Sequence, residues 1–274
     1  MPRIAVFPCL AALGLALVTG LQAAEPSLRG LQSVWSLAAS SQPVEARTAL
    51  NRLDGLDART RALAQAVLDL ARPPLSGSDW NRVEPVLAEL AQGNDEIAAR
   101  ALYLQARMYQ VQKTPPDYAR AGQLYRELTR RWPGSHWAQL GLVKLGLVML
   151  YASPEPADAR IRLAQVTALL DQVAEPTLRR DLELQIGWAG IFYEQPLDEV
   201  LPHLIAADRV GGLMGITPED LVTQIGELSF RAGHLAQARS YFERFLREFP
   251  TNTRKFNVEQ RLKQVIAAQA EAKS

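Results

Sequence analysis

Three histidines, one cysteine and a scatter of carboxylates are what this chain offers for acid–base or metal chemistry. His136, His203 and His234 lie far apart, each beside a proline or a turn-forming glycine, where surface or capping imidazoles are expected. No His-Glu-x-x-His or Cys-x-x-Cys occurs, nor do the glycine patterns of nucleotide-binding loops or serine hydrolases. No metal site and no cofactor is expected from that inventory. Gly211-Gly212 with Gly215 imitates a phosphate loop only in its glycines. It follows a helical pattern rather than a strand and has no lysine close by. Glu227-Leu228-Ser229 sets an acid beside a serine, as in enzymes that cleave glycosidic bonds, but it lies inside a helical repeat where a structural role suffices. Five tryptophans and seven tyrosines raise the idea of a carbohydrate platform. Trp35, Trp80 and Trp188 fall on apolar helical faces, and Trp132 and Trp137 bracket Pro133-Gly134. Core packing accounts for most of them, with Trp137 the least committed.

With no chemistry concentrated anywhere, function must come from a surface, and the surface from the elements that carry it. Period-two alternation is absent and apolar residues recur with the helical period instead. Leu28, Leu31, Val34, Trp35 and Ala38 mark a first helix. Others are predicted at 45–53 and 58–70, divided by Asp54-Gly55. Ser78 or Asp79 caps the next, which carries Trp80, Val83, Val86, Leu87 and Leu90. Further helices are expected at 95–111, 118–132, 137–151, 157–173, 177–193, 197–209, 218–231, 235–249 and 255–268. Thr217-Pro218-Glu219-Asp220 is the strongest start: a capping hydroxyl, a proline in the first turn and acids facing the helix dipole. The expectation is an all-α protein of antiparallel helical hairpins joined by short turns, its tail from 267 to 274 frayed.

The first residues read differently. Arg3 supplies a basic start, Ile4 to Ala24 carries no charge, Leu10–Val18 is its most apolar stretch, and Ala23-Ala24 precede the first acid, Glu25. That order is a secretory signal peptide over 1–24, cleaved after Ala23 or Ala24, and it places the mature chain in the periplasm. The apolar core is shorter than the ~20 residues of a spanning helix, so no transmembrane span is expected in the mature chain. Cys9 precedes that core, the wrong side for a lipid-modified cysteine. Removing 1–24 takes away Arg3 alone and leaves 29 basic against 29 acidic residues. A neutral chain argues against nucleic acid and against polybasic membrane attachment.

Two stretches resemble each other. In one, Ala106 is followed by a turn, Ala121, Tyr125 and Pro133; in the other, Gly226 is followed by Gly233, Ala238, Phe242 and Pro250. In each, a small residue permits a close helix crossing, an aromatic four residues after an alanine fills the groove beside it, and a proline stops the second helix. On these residues the sequence resembles the tetratricopeptide repeat family, with one unit at 219–252 and Gly233 at its inter-helix turn. The unit ending at Pro133 fits with an insertion around Pro115-Pro116. Pro133 is followed by Gly146 in a manner similar to the longer repeats of bacterial envelope proteins, including periplasmic accessory proteins of the Tol-Pal system. The resemblance implies a right-handed α-solenoid divided as follows: degenerate hairpins over 25–94, a repeat and following helix over 95–151, degenerate hairpins over 152–216, a repeat over 217–252, and a capping helix with tail over 253–274. An ordinary helical bundle is the other reading.

In that family the first helices of successive hairpins line a groove that holds a polypeptide. The resemblance therefore implies binding positions at Arg100, Tyr103, Arg107 and Gln110, aligned on Ala106, and at Thr223, Glu227, Phe230 and Arg231, aligned on Gly226. The equivalents around Gly146 are Leu140, Val143, Leu147 and Leu150, either a groove floor or residues buried by neighbours. The function expected is a non-catalytic adaptor for a protein or peptide partner in cell-envelope assembly or maintenance. A helical substrate-holding enzyme or sugar-binding module of cell-wall metabolism is the alternative, and self-association through the ends of the stack a third.

Overall fold

A short amphipathic helix is stable only where its apolar stripe meets another helix, and a computed structural model of the chain shows which helix meets which. The structure describes residues 26–71, 75–153, 155–213 and 218–272, with residues 26–29 by backbone alone. The expected signal peptide, Thr217 and Gly215 lie outside the described residues. Thirteen α-helices and no strand are found among the described residues, so the all-α expectation holds. The chain divides into two compact units between Asp117 and Tyr118, at the turn of the first expected repeat.

The first unit holds α1 (Pro26–Ala39), α2 (Pro43–Asn51), α3 (Ala58–Leu70), α4 (Gly77–Leu90) and α5 (Glu96–Arg107), the last running into a π-helical turn, Met108–Gln112. Each helix packs on the next, and α5 also touches α3. Leu31, Val34, Ala46, Leu50, Ala64 and Leu68 form the core under α1 to α3. Side-chain caps set three of the starts: Asp57 accepts from the Thr60 N–H at 2.9 Å, Ser76 from the Asp79 N–H at 3.1 Å, and Asp95 from the Ala98 N–H at 2.9 Å. The cap of α4 is thus Ser76 rather than Ser78 or Asp79. Asp79 stands three residues on and its carboxylate accepts from the Ser76 hydroxyl at 2.7 Å, so the serine both accepts from and donates to the same residue. Asp69, buried on α3, receives Arg47 of α2 at 2.6 Å, Arg82 of α4 at 3.3 Å and Gln65 at 3.1 Å. A buried carboxylate tolerates its site only with such donors.

The second unit holds α6 (Tyr118–Arg131), α7 (His136–Leu147) with a π-helical turn at Val148–Ala152, α8 (Ala159–Thr167) with a 3-10 turn at Ala168–Gln172, α9 (Pro176–Phe192), α10 (Leu197–Val210), α11 (Pro218–Arg231), α12 (Leu235–Glu248) and α13 (Lys255–Glu271). Packing runs α6 on α7, α7 on α9, α8 on α9, α9 on α10, α10 on α11, α11 on α12 and α12 on α13. Two core clusters follow: Leu184, Leu201, Leu204, Leu221 and Ile225 between α9, α10 and α11, and Val222, Phe242, Phe245, Val258 and Val265 between α11, α12 and α13. Pro218, Glu219 and Asp220 form the first turn of α11. Gly233 turns the chain into α12 with φ +79, a left-handed value that glycine adopts without strain.

The tightest crossings fall on glycines. A Cβ on Gly226 would meet the Phe242 ring at 2.7 Å, and one on Gly187 would meet Leu204 of α10 at 2.5 Å. Phe242 is fully buried and has no room to retreat. Gly226→Ala is therefore expected to destabilise the fold by about 1–3 kcal/mol, against the usual helix preference for alanine. Urea titration of the single variants and of the Gly226→Ala/Phe242→Ala pair checks this: the cost of Gly226→Ala should shrink toward zero once the ring is gone.

Candidate functional site

Each hairpin contributes a first helix. In the second unit these are α7, α9, α11 and α13, and polar side chains bind each to the next. Gln139 at the start of α7 accepts from the N–H groups of Ala174 and Glu175, at 2.7 and 2.8 Å, just before α9. Trp188 of α9 donates its indole N–H to Gln224 of α11 at 3.1 Å. Asp220 and Glu227 of α11 receive Arg254 and Arg261, the second at 2.8 Å, and both pairs are separated by 34 residues. That is one repeat length, so α13 stands where the first helix of another hairpin would stand. The second helices are tied likewise: Asp198 to His234 and Asp208 to Arg244, each across 36 residues.

This register gives each expected binding residue a place. Arg100 lies 4.5 Å over the Trp35 ring, and burial pushes its guanidinium down to about 10. Burial raises the Tyr103 phenol, and Arg107 donates to Gln110 at 2.8 Å. The exposure expected at these four positions is corrected by the structure: Tyr103 and Gln110 are buried and Arg100 and Arg107 half-buried, because α5 packs on α4 and α3 of its own unit. On α11, Thr223 donates back to the Glu219 carbonyl at 2.7 Å, Glu227 is held by Arg261, and Phe230 lies 5.6 Å under the same guanidinium. Arg231 is exposed. Val143 and Leu150 are buried by neighbouring helices, while Leu140 and Leu147 are half-buried.

The residues weighed for chemistry have structural partners. Ser229 is fully buried and donates to Gln237 at 3.0 Å, while its neighbour Glu227 faces Arg261. His136 lies 2.8 Å from Glu175, His203 2.6 Å from Glu183, and His234 2.5 Å from Asp198. Each imidazole ties one helix or turn to another, a role the sequence pattern concealed because the partners lie twenty to thirty-nine residues away. Trp80 meets Tyr109 edge-on at 5.2 Å and Trp132 lies 4.2 Å under Arg131. Gly211 and Gly212 offer carbonyls to Arg180, both at 2.8 Å, so this pair binds a cation rather than a phosphate. Among the described residues no group of three or more His, Cys, Asp or Glu is placed to hold a metal.

The sequence reading named Arg231 but missed the exposed side chains that hold the same register on the other first helices. Gly146, Gly187 and Gly226 are the close-approach points of α7, α9 and α11. The residues five places on are Tyr151, Phe192 and Arg231, all exposed. Tyr151 and Phe192 are in edge contact at 5.8 Å, and Tyr193 stacks on Tyr151 at 6.2 Å. Tyr193 donates its hydroxyl to the Leu150 carbonyl and carries the Arg162 guanidinium 4.9 Å over its ring. Burial, then the neighbouring Tyr193, pushes the Tyr151 phenol up to about 12. In the first unit Val111 holds the same position relative to Ala106 and is also exposed. The indicator was available: counting five residues past each small residue finds all four.

His203→Ala leaves the buried Glu183 carboxylate facing α10 without its imidazole. The expected cost is about 1–3 kcal/mol in urea unfolding. A paired replacement of His203 and Glu183 by leucine should recover most of it, since an apolar pair leaves no stranded charge.

Comparison with known proteins adds three findings. No curated protein matches the chain. Among solved structures it is similar to one described as "Assembly Chaperone of RpL4 (Acl4) (Residues 1-338)", with 13% identity and a TM-score of 0.47 over 91% of this chain and 100% of that chain. A family model described as tetratricopeptide repeat matches residues 223–252, the stretch in which Gly226, Gly233, Ala238 and Phe242 make the α11–α12 crossing. A tetratricopeptide repeat is therefore present at the α11–α12 hairpin.

Proposed function

We propose that the chain is a non-catalytic scaffold whose first helices hold a segment of another polypeptide, and that it does so in the periplasm as part of cell-envelope assembly or maintenance. The observation that carries the reading is the register of the second unit. α7, α9, α11 and α13 present equivalent positions in sequence, and the residues five places past the close-approach glycines stay exposed. A surface of that kind suits an extended or helical partner, which makes one contact per repeat. The envelope setting rests on the signal-peptide pattern of residues 1–24 and on the likeness of the Pro133–Gly146 stretch to envelope repeats. Glu227 and Ser229, the residues that would favour a cell-wall enzyme, are occupied by Arg261 and Gln237.

Two outcomes are expected. Protein recovered from the periplasmic fraction of a Gram-negative host should begin at Ala24 or Glu25 by N-terminal sequencing; an intact Met1 in the cytosol refutes the export reading. A photo-crosslinking residue placed at Arg231, in intact cells, should yield a protease-sensitive adduct with another envelope polypeptide. The same residue at Arg239, on the exposed side of α12, should yield none. Equal labelling from both positions, or an adduct resistant to protease, counts against the scaffold.

A further inference from the structure

We propose that the rings of Tyr151 and Phe192, together with the Glu194 carboxylate, form a platform for an arginine-bearing basic segment of the partner. The proposal rests on the scaffold reading above and names the chemistry of the occupant.

The first ground is what remains uncovered. Phe192 is 63% exposed and Tyr151 46% exposed, although aromatic rings of this size are normally placed in a core. They touch across two neighbouring first helices, so the apolar face spans a repeat boundary. No guanidinium of a described residue lies over either ring. The second ground is what this protein lays on its other aromatic rings. Arg261 covers Phe230 at 5.6 Å and pairs with Glu227, three residues earlier on the same helix, at 2.8 Å. Arg162 covers Tyr193 at 4.9 Å and Arg100 covers Trp35 at 4.5 Å. An aromatic with a carboxylate close by on the chain is thus a site that α11 fills with an arginine from its neighbour α13. Phe192 at the end of α9 also has a carboxylate close by on the chain, Glu194 two residues on, and no arginine of a described residue lies over its ring.

The third ground is charge. The carbonyl ends of the π-helical turn at Val148–Ala152 and of α9 both lie at this patch, and helix carbonyl ends favour cations. Glu194, exposed just past the end of α9, has no ion-pair partner among the described residues. Arg162 already occupies the Tyr193 face, which leaves the Tyr151 and Phe192 rings as the uncovered ones. A guanidinium suits the remaining rings better than an ammonium, because its plane stacks on an aromatic face while its edge still bonds a carboxylate.

Fluorescence anisotropy tests this with labelled Gly-Ser peptides carrying arginine, lysine or glutamate, added to the mature chain. The arginine peptide should bind tightest and the glutamate peptide weakest. Phe192→Ala should weaken the arginine peptide about two- to fivefold, and Phe192→Trp should restore or tighten it. Glu194→Lys should weaken it further while leaving the thermal melt unchanged. Equal affinity for the arginine and glutamate peptides, indifference to Phe192→Ala, or failure of tryptophan to restore binding overturns the proposal. If crosslinking from Arg231 still captures a polypeptide in that case, only the platform falls and the scaffold stands.

Discussion

An aromatic ring pressed against a bare α-carbon is the contact on which the described second unit depends. Phe242 lies on Gly226 at a distance that a single methyl group would abolish, and that closeness sets how near α12 comes to α11. Everything past it follows from the spacing. α13 packs on α12 through Val258 and Val265, which brings Arg254 and Arg261 within reach of Asp220 and Glu227 one repeat length back. α9 makes the equivalent approach to α10 through Gly187 and Leu204. A hairpin so built cannot bury both its faces alone, and stacking is how the remainder leaves water.

Much of this could be read from residue types, because the features that end and join helices are local. Pro218 opens α11, Gly233 turns the chain, and α12 stops before Pro250. The α9–α10 hairpin was harder to see. Its close approach uses glycine against leucine rather than glycine against an aromatic, so the pattern that marked 219–252 is missing although the geometry is kept. The cap of α4 shifted to Ser76 because a reciprocal bond with Asp79 outweighs any single hydroxyl nearer the apolar run. Exposure was the least legible property. Tyr103 and Gln110 sit on a helix face that periodicity alone leaves open, and they are buried because α3 and α4 arrive from earlier in the chain.

The candidate binding wall is also the wall that holds the repeats together. Gln139, Trp188, Gln224, Asp220 and Glu227 all lie on first helices, and all bond an adjacent first helix or the turn before it. The ion pairs among these are partly exposed, so each contributes little alone. Their effect is to fix the offset between repeats, and with it the spacing of whatever remains free. Among the described residues five places past the close-approach glycines, the rings of Tyr151 and Phe192 and the side chain of Arg231 stay exposed.

Such a surface must recognise its partner at short range. The chain carries a net charge of only +1, and many of its acids and bases neutralise each other within or between neighbouring helices. With so little net charge, long-range steering of a partner by the whole chain is weak, and encounter is expected near the rate of uncharged docking. Discrimination then falls to contacts made after encounter, where rings exclude water from a cation and the repeat spacing decides which side chains meet them together. Where encounter is not steered, affinity is governed by how long a complex lasts, and that is set by close-range contacts in which a ring and a carboxylate act together.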